Sequence, residues 1–174
     1  MTKLRNIALK LFKKIEWNNP SVQEQLAPTS VCFGCGPANQ KGLKIRSFAH
    51  KIEDEAILLL KFKPEPHHLA FEGILNGGII GTVLDCHCNW TAAYNLMLKK
   101  EPQQLPSTVT AEYHIKLKKI TPVDQELLIW AHPKKIEGNK VHVTGEILVD
   151  GQVTANCTGL FVAVKEGHPA FRRW

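Results

Sequence analysis

The sequence predicts an α+β domain in which an antiparallel sheet of about six strands wraps around one long central helix. Three observations carry that expectation. Residues 77–98 are apolar around their circumference, through Ile80, Val83, Leu84 and Trp90, so a helix there is buried on all sides. Strand-like runs flank it, two before (43–49 and 55–63) and four after (near 107–118, 126–136, 140–149 and 152–164). Asp150-Gly151 separates the last two, Val141, Val143 and Ile147 lying on one side and Val153, Ala155 and Cys157 on the other, which is a hairpin signal. A single buried helix amid antiparallel strands leaves the sheet to curl over it.

Taken in order, residues 1–17 place Leu4, Ile7, Leu11 and Ile15 on one helical face, with Lys3, Arg5, Lys10, Lys13 and Lys14 supplying charge. Such an N-terminal amphipathic helix packs on the domain or on a dimer mate. The absence of acids before Glu16 also suits a targeting peptide or a membrane-surface helix, although one Arg, one Thr and no Ser make a poor transit peptide. Residues 18–31, with Asn18-Asn19-Pro20 and Pro28, read as a linker to a main domain over 32–166, and 167–174 as a C-terminal tail. The first two strands surround a polar turn, Lys51-Ile52-Glu53-Asp54, and Pro64 and Pro66 end the second. A loop through His67-His68 then leads to the long helix.

The bulk composition fits one domain with a real core: 174 residues, 44% hydrophobic and 22% charged. No apolar run approaches the roughly 20 residues that span a membrane. The net charge of +6 suits an anionic ligand or mere solubility; the basic residues are scattered without a nucleic-acid motif. Five cysteines without a secretory signal favour a reducing compartment, the cytoplasm, over a disulfide framework.

Chemistry concentrates in Gly73-Ile74-Leu75-Asn76-Gly77-Gly78-Ile79-Ile80-Gly81-Thr82-Val83-Leu84-Asp85. Paired glycines at a helix start let a ligand reach bare backbone N–H groups at the positive end of the helix dipole, where a developing negative charge is stabilised. Asp85, set in an apolar run, is costly to bury without compensation. The combination suggests acyl chemistry. At about 1.5 Å per residue, Asp85 lies roughly 10 Å along the axis from Gly78, too far for both to act on one carbonyl. Two antiparallel copies about a twofold axis would bring one helix start to the other's Asp85, which predicts a dimer with shared sites.

This segment resembles the hotdog-fold thioesterases, especially the PaaI-like acyl-CoA group, whose pattern is close to G-I-L-H-G-G-I-I-x-T-L-L-D. The likeness runs from about Cys32 to Val164 and takes in Cys32-Phe33-Gly34-Cys35-Gly36-Pro37, Lys41-Gly42-Leu43, Val109-Thr110-Ala111-Glu112-Tyr113 and Thr121-Pro122. Asn76 stands where the family usually has His. The resemblance implies an acyl-CoA thioesterase, homodimeric or homotetrameric, that needs no cofactor. Asp85 would be the base or nucleophile, the Gly77 N–H the oxyanion donor, and Thr110 a residue that positions water or the acid. An alternative is a non-catalytic hotdog module that binds acyl-CoA; a hydratase is disfavoured by the missing His.

Each candidate also has a plain structural reading. Asp85 could be satisfied by backbone donors or a cation, and Gly77 and Gly78 could simply permit close packing. Asn76 is a good N-cap as well as a carbonyl donor. By strict alternation Thr110 shares a face with Glu112, His114 and Lys116, opposite Ile115 and Leu117, and could be exposed. His68, with His67, sits where relatives carry a polar loop over the acyl pocket, yet could be a solvated pair. Cys32-x-x-Cys35 with Cys86-His87-Cys88 prompts a zinc test, but consecutive helical positions point about 100° apart, so no metal is expected. Lys116, Lys118, Lys119, Arg172 and Arg173 could meet coenzyme A phosphates.

Overall fold

The computed structural model describes residues 3–100 and 103–172. A six-stranded antiparallel sheet packs on a 22-residue helix, α3 (Gly77–Leu98), the α+β arrangement expected. In chain order the elements are α1 (Lys3–Leu11), α2 (Val22–Leu26), β1 (Phe48–Ile52), β2 (Glu55–Phe62), a 3-10 turn (Pro66–His68), β3 (Leu69–Phe71), β4 (Ile74–Leu75), α3, then β5 (Thr108–Leu117), β6 (Leu127–Glu137), β7 (Lys140–Val149) and β8 (Gln152–Ala163). The large sheet runs β1-β2-β6-β7-β8-β5, so β5 is an edge strand; β3 and β4 form a separate small ribbon.

The run Ala56–Leu60 is apolar at every position because both sheet faces are covered. Leu58 and Leu60 join the core around α3, with Val83, Leu84, Trp90, Ile129 and Phe161. Ile57 and Leu59 point the other way, into a second cluster with Ala8, Leu11, Phe12, Trp130 and Leu148. The N-terminal helix therefore packs on its own domain, on the sheet face remote from α3. Arg5 fixes it there: Nε and Nη2 donate to the two carboxylate oxygens of Glu146, each at 2.6 Å, and Trp130 Nε1 donates to Glu146 Oε2 at 3.1 Å.

Four local expectations change. Residues 43–47 lie outside the sheet: Leu43 and Ile45 donate backbone N–H groups to the Phe33 and Gly34 carbonyls. The hairpin closes tightly at Glu53-Asp54, with Glu53 at φ 55°, which pairs Ile52 with Glu55 and makes Lys51 and Ile52 part of β1. Within 18–31, residues Val22–Leu26 form α2, opened by a capping box in which Ser21 and Glu24 satisfy each other's backbone N–H groups. Finally, a bulge between Ile147 and Leu148 of the β7–β8 register turns Val153 onto the outer face, while Ala155 and Cys157 stay in the core.

A buried polar chain locks α2 to α3. Gln23 Nε2 donates to Ser47 Oγ (2.9 Å), Ser47 Oγ donates to His87 Nδ1 (2.8 Å), and His87 Nε2 donates to the Leu58 carbonyl (3.2 Å). Full burial depresses the His87 pKa to about 4.

Candidate active site

The start of α3 is held from three directions. Asn76 donates its N–H to the His68 carbonyl at 2.9 Å, Leu75 donates to the Thr121 carbonyl at 2.9 Å, and Val123 donates to the Gly73 carbonyl at 3.1 Å. Gly73 turns the chain at φ 72°, a conformation that favours glycine. Asn76, in extended conformation, is the N-cap: its Oδ1 accepts the Gly78 N–H at 2.7 Å.

That cap separates the two glycines. A Cβ on Gly78 would approach Asn76 Oδ1 at 3.0 Å, so the tight cap accounts for a small residue there. A Cβ on Gly77 would meet only Leu117, at 3.7 Å, an ordinary contact. Close packing thus accounts for Gly78 and not for Gly77. With the Gly78 N–H taken by the cap, the N–H of the exposed Gly77, the first residue of the helix, has no hydrogen-bond partner among the described residues.

Asp85 is half-buried two turns into α3. Thr110 Oγ1 donates to Asp85 Oδ1 at 2.6 Å, a charge-assisted hydrogen bond, and accepts from Asn89 Nδ2 at 3.3 Å. Asn89 Oδ1 in turn accepts from Thr108 Oγ1 at 2.7 Å. Two β5 threonines and an asparagine one helical turn beyond the acid therefore orient its carboxylate.

The strict alternation expected of β5 fails at a bulge. Thr110 pairs with Phe161 but Glu112 with Leu160, so Ala111 is the extra residue. The phase of the strand flips there. Thr110 consequently shares the helix-facing side with Ile115 and Leu117, which reach towards Gly81 and Gly77. Glu112 and His114 are left exposed, paired with each other at 2.7 Å.

His68 is 7% exposed and serves as support. Its ring stacks on Phe62, its Nδ1 accepts the Glu65 N–H at 3.0 Å, and burial lowers its pKa. Its carbonyl accepts the Asn76 N–H at the helix start. Lys116, Lys118 and Lys119 are exposed at the end of β5 where Leu117 meets Gly77. Arg172 lies over Phe171, and Arg173 is outside the described residues. Cys86, His87 and Cys88 diverge as their helical spacing requires, towards Cys32, Ser47 and Cys157 respectively.

Exposed apolar side chains gather beside this face of α3. They include Leu117 (59% exposed), Tyr113 on the same edge strand, Phe71 (72%) on the ribbon leading to Asn76, and Phe33. Phe33 lies in the loop whose Gly34 abuts Thr82 and Cys86 of α3.

No protein-family model and no curated protein matches the sequence. Solved structures do resemble it. A thioesterase superfamily protein from Shewanella loihica is 25% identical with a TM-score of 0.57, over 74% of this chain and 98% of its own. A phenylacetic acid degradation-related protein from Ralstonia eutropha, described as a thioesterase, is 18% identical with a TM-score of 0.53, over 67% and 84%. A thioesterase from Thermus thermophilus, solved with coenzyme A and Zn, is 12% identical with a TM-score of 0.52, over 65% and 83%.

Proposed function

For a chain with the hotdog fold shared by thioesterase-superfamily proteins, we propose hydrolysis of an acyl-CoA thioester to a carboxylic acid and free coenzyme A. The observation that carries this reading is the pairing of the Gly77 N–H, at a glycine that packing leaves unexplained, with a carboxylate oriented by Thr110 at 2.6 Å. In the reaction, Asp85 takes a proton from water as hydroxide adds to the thioester carbon, or attacks that carbon itself and is released by water. Negative charge gathers on the carbonyl oxygen, where the Gly77 N–H and the positive helix end stabilise it. Collapse expels the thiolate, which takes up the proton. A thiol is a good leaving group, so no cofactor is required.

Within one subunit Gly77 and Asp85 are eight residues apart on one helix, about 12 Å by its rise. The strand β5 supports a way to bring them together. Leu117 stands level with Gly77 and Thr110 with Asp85. Antiparallel pairing of β5 with its copy, centred on His114, sets Tyr113 opposite Ile115 and, with Ala111 again the extra residue, sets residue 110 of each chain opposite residue 117 of the other. Asp85 of one subunit then faces Gly77 of the next. The same pairing satisfies the open edge of a ten-residue strand and covers Tyr113 and Leu117. The substrate enters at this interface.

Replacing Asp85 by Ala tests the proposal. A panel of acyl-CoA thioesters assayed for thiol release should show turnover lost while the folded dimer persists. Unchanged hydrolysis in D85A refutes it, and saturable acyl-CoA binding to wild type without thiol release points to a binding module instead.

A further inference from the structure

We propose that Cys32, Cys35 and Cys86 form a zinc site that staples the 30–38 loop to α3, independent of the thioesterase reaction. The three sulfurs lie within 4.8 Å of one another, and the Cys32 and Cys86 Sγ atoms are 3.9 Å apart. Tetrahedral zinc with Zn–S bonds of about 2.3 Å separates its sulfurs by about 3.8 Å, so the thiols need only small shifts to share an ion. The expectation of no metal rested on the divergence of residues 86–88. They do diverge, but one of them suffices, because the loop supplies two more thiols.

The surroundings are built for thiolates. The indole N–H of Trp90, whose side chain is fully buried, donates to Cys35 Sγ at 3.1 Å. Such a donor disperses negative charge on metal-bound sulfur and fixes its direction. The spacing of the loop follows from the same geometry. A Cβ on Gly34 would stand 2.4 Å from Cys86 Sγ, and one on Gly36 would stand 2.4 Å from the Cys32 nitrogen and 2.5 Å from the Ser30 carbonyl oxygen. Only glycine at both positions lets the turn close on the helix.

Charge selects the ion. Cys35 and Cys86 are buried while Cys32 is half-exposed. Three thiolates leave one net negative charge around Zn2+ but two around Cu+, and burial penalises the second more. No fourth His, Cys, Asp or Glu joins the group among the described residues, so water on the Cys32 side completes the tetrahedron. The ion binds the residue next to Asp85 and so has a structural role beside the acid.

The full chain, purified under reducing conditions with any tag removed and dialysed against zinc chloride, should retain stoichiometric zinc through gel filtration. Cobalt substituted for zinc should give a thiolate-to-metal charge-transfer band. Cys32→Ser, which alters the most exposed ligand, should lose the bound zinc. If that variant does not fold, alkylation of the native protein decides: zinc should protect Cys32 from iodoacetamide, and EDTA should expose it. Absence of zinc, undiminished zinc in C32S, a metal-free Cys32–Cys86 disulfide, or alkylation indifferent to EDTA would overturn the proposal.

Discussion

Gly77→Pro removes one hydrogen atom that the mechanism requires, and the structure indicates that little else changes. Residue 77 is the first in α3, the N1 position, where proline's fixed φ is already helical and its missing N–H costs the helix nothing. Asn76 before it has φ −61° and ψ 132°, the extended conformation that a following proline demands. The space beside residue 77 holds only Leu117, 3.7 Å from a modest added carbon. The Asn76 cap acts on Gly78 and survives. Folding stability should therefore hold or rise by about 0.4–1 kcal/mol through reduced freedom of the unfolded chain. Loss of one oxyanion donor costs about 2.7–4 kcal/mol in the transition state, roughly a 100- to 1,000-fold fall in kcat. Steady-state thiol release from an acyl-CoA, run beside thermal unfolding, measures both. Gly77→Ala keeps the N–H and should lose far less. A folded G77P enzyme with wild-type kcat refutes the assignment of this N–H to the oxyanion.

Two further perturbations probe the supports. Thr110→Val deletes the hydroxyl bonded to Asp85, and a hydrogen bond to a charged group is worth about 1.5–3 kcal/mol. It should lower kcat by roughly 10- to 100-fold with KM little changed, and Thr110→Ser should restore most of it; a silent T110V shows that the acid needs no such partner. His87 predicts acid sensitivity. Its pKa falls from the ordinary 6.5 to about 4 on folding, so between those values the unfolded chain binds the extra proton. The contribution is complete above pH 6.5 and fades as pH falls to 4, by roughly 3 kcal/mol in all. Denaturant unfolding across that window should be less steeply pH-dependent in His87→Gln; an identical slope contradicts the buried neutral imidazole.

The long helix and the hairpin at Asp150-Gly151 were legible because periodicity and turn chemistry are local. Gly77–Leu98 agrees with the expected span, since every face of that helix is apolar and its cap, Asn76, is written beside the glycines. What escaped depends on pairing between distant strands. Nothing in Val109–Leu117 announces the bulge at Ala111; it arises from register with β8, and it reverses the face on which Thr110 stands. Strand β1 was displaced for a similar reason: residues 43–47 prefer the Cys32–Cys35 loop to the sheet. Other signals were present and unread. Ser21-x-x-Glu24 is a capping-box pattern that foretells α2. Asn89, polar in an apolar helix and four residues after Asp85, marks the hydrogen-bonded set behind the acid. The meeting of Cys86 with the Cys32–Cys35 turn is tertiary and has no sequence signature.

Complementation between two impaired variants tests the shared site most directly. Asp85→Asn and Gly77→Pro dimers, each poorly active alone, are mixed and allowed to exchange subunits. In a mixed dimer, the native Gly77 of one chain faces the native Asp85 of the other, and one of the two sites is whole. Random exchange makes half the dimers mixed, so activity per chain should recover to about a quarter of wild type. Activity that stays at the average of the two parents, despite proven exchange, would contradict a site divided between subunits.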